Sequence, residues 1–233
     1  MRQIPAVCTK PDSKKQEGEF MDEKALRIPS ELNRSVVLRI VSGHFVTNHS
    51  HVNYYVDMTY LKARKSEAEG AAQILARNYE TSSYIDTIVC MEGCEVIGAY
   101  LADELSRNKI RSLNTHHTIY IASPEVHTGG QMIFRDNMQG MIRGKHVLLL
   151  LATATTGITV KRAIECIRYY GGIIEGTAAL FSAAKEVDGV RISALFTPKD
   201  ICDYKTWSPE ECPMCKEKKK IDAIINRYGY SKL

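Results

Sequence analysis

An α/β fold is predicted, with a mainly parallel sheet covered by helices on both faces and a small N-terminal hood. Three observations predict it. Several short stretches are apolar throughout, among them "YIDTIVC", "HVLLLLAT" and "RISALF", which suits strands buried on both faces. These stretches alternate with segments of helical period such as "VIGAYLADELSR" and "TVKRAIECIRYYGG", the rhythm of a parallel sheet with crossover helices. Finally, 233 residues with 44% hydrophobic and 25% charged content fit one soluble main domain with a sizeable core.

Residues 1–20 are polar and charged and read as a loose arm. Residues 21–65 form the hood: a short helical stretch, then "SVVLRIVSGHFVTNHSHVNYYVDM", whose β-branched and aromatic runs, divided by Ser42–Gly43, predict a hairpin. The core, 66–200, opens with the amphipathic helix "KSEAEGAAQILARNYE", with Ala71, Ile74 and Leu75 on one face. Strands at "YIDTIVC", "HHTIYIAS", "GKHVLLLLAT", "IIEGTAALFSA" and "RISALFTP" follow. In such sheets ligands bind at the carboxyl ends of the strands, so the loops after Val89, Ile121 and Leu151 are the places to search. Residues 201–233 form a tail with a Cys-x-x-C, ending in "IDAIINRYGYSKL" at partly helical spacing.

The net charge of +4 is mild, and the run Lys216–Lys220 reads as solvated surface, so no nucleic-acid partner is expected. No apolar run is long enough to span a bilayer and no signal-peptide core is present. A cytoplasmic location without a membrane partner is the default expectation. Seven cysteines, an odd number, argue against a disulfide framework. Cys212 and Cys215 could hold one side of a zinc ion, with Cys202 as a third ligand and Cys8 or a histidine as a fourth. The alternative is unligated or redox-sensitive thiols, because the histidines lie far off in sequence. Cys94 reads as a small buried residue, or as a reactive thiol should a helix N-terminus stabilise its thiolate.

In "ATATTGITV", Thr155, Thr156, Gly157, Ile158 and Thr159 leave a buried strand and open a helix. Backbone N–H groups there, with the helix dipole and threonine hydroxyls, form a phosphate cradle. The plainer reading is that Thr159 caps the helix and Gly157 makes the turn. No Gly-Lys-Ser/Thr follows, so this is no Walker loop.

On these residues the sequence resembles the type I phosphoribosyltransferases, most closely the orotate enzymes. The matches run in order over roughly residues 35–215: "GHFVTNHSHVNYYVDM", "DTIVCMEGCEVIGAYLADEL", "LATATTGIT" and "WSPEECPMCK". The resemblance implies that Thr155–Thr159 hold the 5-phosphate of phosphoribosyl pyrophosphate (PRPP). It likewise implies that Met91, Glu92 and Gly93 form the pyrophosphate loop and that Phe45, His49, His51 and Tyr54 face the base. Magnesium would accompany PRPP, the ligand would be PRPP or a nucleotide monophosphate, and the protein would be a homodimer.

Three departures stand out. Leu151 and Ala152 occupy the places of the family's acidic pair, which engages the ribose hydroxyls. The mobile basic loop is replaced by "ASPEVHTGGQMIFRDNMQGMIRGK", leaving His127 and Arg135 as the candidates for charge stabilisation. The Ser-Gly-x-x-Ser turn of the base pocket becomes "NHSHVN". The expectation is a phosphoribosyltransferase acting on a pyrimidine or related base with weakened or lost activity, or an inactive homologue that senses PRPP or a nucleotide.

Overall fold

Strand β8 (His146–Ala154) shows how the sequence builds the centre of the molecule. Side chains alternate across a strand, and both faces here are apolar. Leu148, Leu150 and Ala152 point into one core cluster, and Val147, Leu149 and Leu151 into the other. A helix layer is therefore required on each side. Each fully buried aliphatic side chain contributes about 1.5–3 kcal/mol relative to exposure, so a strand lined this way on both faces belongs at the centre of the sheet.

The structure, a computed structural model, describes residues 25–79, 84–107, 113–114, 118–127, 129–226 and 228–233. The arm predicted at 1–20, with Cys8, lies outside the described residues. In order come β1 (Leu26–Pro29), β2 (Val37–Val46), β3 (His51–Asp57), α1 (Thr59–Ala63), α2 (Lys65–Ala76), β4 (Thr87–Cys90), α3 (Glu95–Ser106) and β5 (Tyr120–Ala122). The short hairpin β6 (Glu125–Val126) and β7 (Met132–Ile133) and α4 (Asp136–Gln139) precede β8. After it come α5 (Ile158–Tyr169), β9 (Ile173–Ser182), β10 (Glu186–Val187) and β11 (Val190–Phe196). The tail contributes β12 (Thr206–Trp207), α6 (Pro213–Lys216), β13 (Ala223–Asn226) and β14 (Gly229–Lys232).

The core sheet has the order β10-β11-β9-β8-β4-β5. Its neighbours from β11 to β5 pair in parallel, and only β10 is antiparallel. Ala68, Ala71, Ala72 and Leu75 of α2, with Ile97, Leu101 and Leu105 of α3, cover one face. Val160, Ala163, Ile164 and Ile167 of α5 cover the other. The predicted fold class is observed.

The second sheet, the hood, has the order β12-β3-β2-β13-β14, with β1 also paired to β2. Three expectations are corrected here. The stretch before β2 is not helical over "LRIP" but forms β1, since Leu26 pairs with Ile40 and Pro29 with Val37. The segment after the lysine run is likewise no helix. Ala223 and Ile224 lie beside Phe45 and Val46 of β2, and β14 folds back antiparallel. The predicted Ser42–Gly43 turn is instead an irregularity inside β2. The chain reverses at 47–50, where Thr47 Oγ1 accepts the N–H of Ser50 at 2.9 Å.

Hood and core are pinned together by a buried ion pair. Arg39 of β2 donates from both terminal nitrogens to the two carboxylate oxygens of Glu67 on α2, each at 2.9 Å. The guanidinium also lies 4.2 Å from the centre of the Tyr60 ring.

Candidate functional site

A cavity of about 590 Å³ lies between hood and core at the carboxyl ends of β4 and β8. Its floor is the turn from β8 into α5. Gly157 adopts φ +78°, and a side chain there would strike Val187 Cγ2 at 2.7 Å, so glycine alone fits. Gly157, not Thr159, is the N-cap, and no side chain caps the helix. The first helical hydrogen bond runs from the N–H of Lys161 to the carbonyl of Gly157. The N–H groups of Ile158, Thr159 and Val160 thus have no acceptor inside the helix. All five residues Thr155–Thr159 line the cavity, so the turn can take an anion.

The loop after β4 forms the adjoining wall. Glu92 and Gly93 both have left-handed φ, 58° and 78°. For glutamate this conformation is strained, and two contacts hold it. Lys62 Nζ donates to the Glu92 carbonyl at 2.8 Å. Glu92 Oε2 accepts the N–H of Thr153 at 3.1 Å, with a further backbone contact from Ala152. A carboxylate therefore stands beside residues 152–153, where the sequence itself has only Leu151 and Ala152. Burial pushes the Glu92 carboxyl up from its ordinary value, against the opposing pull of these N–H groups and Lys62. Among the described residues of the cavity it is the one carboxylate.

Positive charge comes from unexpected places. His127 lines the cavity, 3.3 Å from Glu125 Oε1. Arg135 does not reach it, because its Nε donates to Glu125 Oε2 at 2.7 Å on the outer side. That bond holds the Glu125 carboxyl below its ordinary value. Lys62 and Arg162 line the cavity instead. Neither lies in a motif; Lys62 is brought in by α1 and Arg162 by the first turns of α5.

Of the residues expected at the base, His49 and Tyr54 line the cavity, joined by Asn48. Phe45 and His51 do not. Phe45 is buried with Tyr55, Val52 and Ala223 in the hood core, because it points to the other side of its strand. His51 turns away from the cavity into a second group, His44, Cys212 and Cys215, whose ligand atoms all lie within 4.8 Å of one another. Cys202 stands outside that group. The histidines remote in sequence are thus the nearest neighbours of the Cys-x-x-C.

Cys94 precedes α3 as its N-cap but is fully buried, and burial with nearby Cys90 and Glu92 pushes its thiol well up. It is a packing residue, not a poised nucleophile. Gly98 of α3 lies directly against Cys90 Sγ, letting the helix approach β4 closely. No helix is long and apolar enough to cross a membrane among the described residues.

No family model matches the sequence. The chain is similar to the orotate phosphoribosyltransferase of Desulforamulus reducens, 28% identical over 182 residues that cover 76% of this chain and 85% of the relative. A shorter match, 36% over 76 residues, joins 32% of this chain to 38% of the orotate phosphoribosyltransferase of Pelotomaculum thermopropionicum. Its fold is that of the Leishmania donovani UMP synthase structure, with a TM-score of 0.51 and 17% identity. That similarity covers 68% of this chain and 33% of the larger one.

Proposed function

We propose that the chain acts as a type I phosphoribosyltransferase, binding PRPP and transferring its phosphoribosyl group to a pyrimidine-type base, a reading supported by its similarity to orotate phosphoribosyltransferases. One observation carries the reading. Glu92 places a carboxylate at Ala152–Thr153, beside the phosphate turn, and so supplies the ribose acceptor that Leu151 and Ala152 cannot.

The roles follow from position. The 5-phosphate is held by the turn Thr155–Thr159 and the unpaired N–H groups of α5. The ribose hydroxyls donate to Glu92, a strong charge-assisted contact. The base nitrogen attacks C1 as the C1–O bond breaks and pyrophosphate leaves, with inversion. Positive charge grows on the ribose and negative charge on the leaving group. Lys62, which crosses to the Glu92–Gly93 loop, and His127 stand where the leaving charge develops. His49, Asn48 and Tyr54 offer hydrogen bonds to the base. Magnesium fits this set at its minimum, since it commonly takes one or two carboxylates together with substrate oxygens. When bound it would neutralise pyrophosphate beside Glu92.

A second reading, a nucleotide-binding homologue without turnover, is favoured by one observation, the removal of Arg135 by Glu125. Each missing charge contact of this kind costs a factor of roughly 100 or more in rate. The test is calorimetry with PRPP and orotidine monophosphate beside a turnover assay with orotate and other pyrimidines. Turnover that falls steeply in Glu92→Ala supports the transferase. Nucleotide binding with no turnover on any base selects the second reading, and absence of binding by either ligand refutes both.

A further inference from the structure

The geometry points to a structural zinc site formed by His44, His51, Cys212 and Cys215, which fastens the tail to the hood and thereby sets one wall of the cavity. Cys212 Sγ and Cys215 Sγ each lie 3.5 Å from His44 Nε2. Cys215 Sγ lies 3.3 Å from His51 Nδ1, and the two ring nitrogens are 3.0 Å apart. Around a tetrahedral zinc ion, with Zn–S of about 2.3 Å and Zn–N of about 2.0–2.1 Å, neighbouring ligand atoms sit about 3.3–3.7 Å apart. These four separations are within a few tenths of an ångström of that spacing, and all four ligand atoms lie within 4.8 Å of one another. Two thiolates with two imidazoles, three of the four residues buried and Cys215 at the surface, suit zinc rather than a hard cation.

The surrounding bonds prepare one ligand for this role. His44 Nδ1 lies 3.0 Å from the Lys219 carbonyl. A carbonyl can only accept, so Nδ1 carries the proton and Nε2 presents its lone pair to the cysteines. Such an outer hydrogen bond fixes the tautomer of metal-bound histidines. The backbone of the same residue ties down the tail: its N–H donates to Asp222 Oδ2 at 2.7 Å, and its carbonyl accepts the N–H of Asp222 at 2.8 Å. Four ligands from β2, β3 and α6 form a closed set, which a lone Cys-x-x-C does not.

The site bears on the cavity from two sides. His44 and His51 flank the reversal at 47–50, which carries Asn48 and His49 to the cavity. Beyond Cys215 the chain enters β13 beside β2 and delivers Ile225, Asn226, Tyr228 and Gly229 to the opposite part of the hood wall. Zinc would lock both. The inference does not depend on whether the cavity catalyses transfer.

Metal analysis of the purified full-length protein tests it. One equivalent of zinc per chain is expected, lost in the double variant C212S/C215S. Zinc exchange for cobalt in the unaltered protein should give the visible absorption of tetrahedral cobalt with a thiolate charge-transfer band, and His51→Ala should shift it. Chelation should speed tryptic cutting in the exposed Lys216–Lys220 run, and added zinc should reverse this. Absence of zinc together with an octahedral or featureless cobalt spectrum would overturn the proposal, as would a Cys212–Cys215 disulfide in protein purified under reducing conditions.

Discussion

Glu92 turns its carboxylate away from its own loop and onto the N–H of Thr153, 3.1 Å away on the neighbouring strand. The contact joins the ends of β4 and β8, which pair in parallel from Thr87–Val147 to Cys90–Leu150. It places a carboxylate beside Ala152, where the sequence itself carries Leu151 and Ala152. Burial raises its carboxyl pKa above the ordinary value of 4.5. A group whose folded pKa is raised adds stability below its unfolded pKa, and that stability is lost as pH rises through the folded value. Ionised Glu92 therefore weakens the fold at neutral pH. Glu92→Gln is expected to melt a few degrees higher than the unaltered protein at pH 7, with the gap closing towards pH 4. The same variant should bind PRPP or orotidine monophosphate roughly 10- to 100-fold more weakly, since a charge-assisted bond becomes a neutral one. Scanning calorimetry across pH and ligand titration measure the two opposite effects.

The turn Thr155–Thr159, proposed to hold phosphate, is separable from the fold at one position and inseparable at another. Gly157 holds φ +78° against Val187, so Gly157→Ala should cost about 1–2 kcal/mol from left-handed strain alone, with the steric clash added. Thr156 is exposed in the cavity, and Thr156→Val should leave the urea midpoint within about 0.5 kcal/mol. Both variants should weaken inorganic phosphate binding. If Thr156→Val binds phosphate unchanged, the hydroxyl takes no part in the cradle.

The parallel sheet was legible because its signal is local: Val147 to Leu151 are apolar on both faces, and only a doubly covered strand explains that. The strand-to-helix turn is legible for the same reason, as Thr155–Thr159 are contiguous. The tail was misread because Ile224 and Ile225 take their meaning from β2, some 180 residues away, where Ile224 meets Val46. The sequence neighbours of His51 point to the base pocket, while its partners Cys212 and Cys215 lie on the remote tail. The contact of Glu92 with Thr153 is hidden similarly. Its identity was visible, but the left-handed turn that sends its carboxylate to Thr153 is fixed by Lys62, from another element.

The Arg39–Glu67 pair predicts where hood and core would part. Arg39 and Glu67 are 6% and 3% exposed, so removal of Arg39 leaves Glu67 with only the largely exposed Arg64, 3.5 Å away, and removal of Glu67 takes from Arg39 its two-pronged carboxylate partner in the interior. Arg39→Ala or Glu67→Ala should lower stability by about 3–5 kcal/mol, whereas Arg39→Met with Glu67→Leu together should cost much less. Urea unfolding of the two single variants and the double variant distinguishes these outcomes. Equal and additive losses would mean that the pair is not coupled.

The close approach of α3 to β4 gives a second coupled pair. A methyl group on Gly98 would overlap Cys90 Sγ, and both residues lie beside the loop that carries Glu92, which begins after Cys90 and ends at the start of α3. Gly98→Ala should destabilise by about 1–3 kcal/mol through overpacking. Cys90→Ala alone leaves a small void and also destabilises. Combined, the added methyl fills part of the space the sulfur leaves, so the double variant should be more stable than the sum of the single losses implies, by at least about 0.5 kcal/mol. Ligand affinity should follow the same pattern, because the loop carrying Glu92 spans the two elements that Gly98→Ala pushes apart. Additive losses in a double-mutant cycle by urea unfolding would show that the helix moves bodily to admit the methyl. Glu92 would then have to shift from Thr153 in Gly98→Ala whether or not Cys90 is shortened.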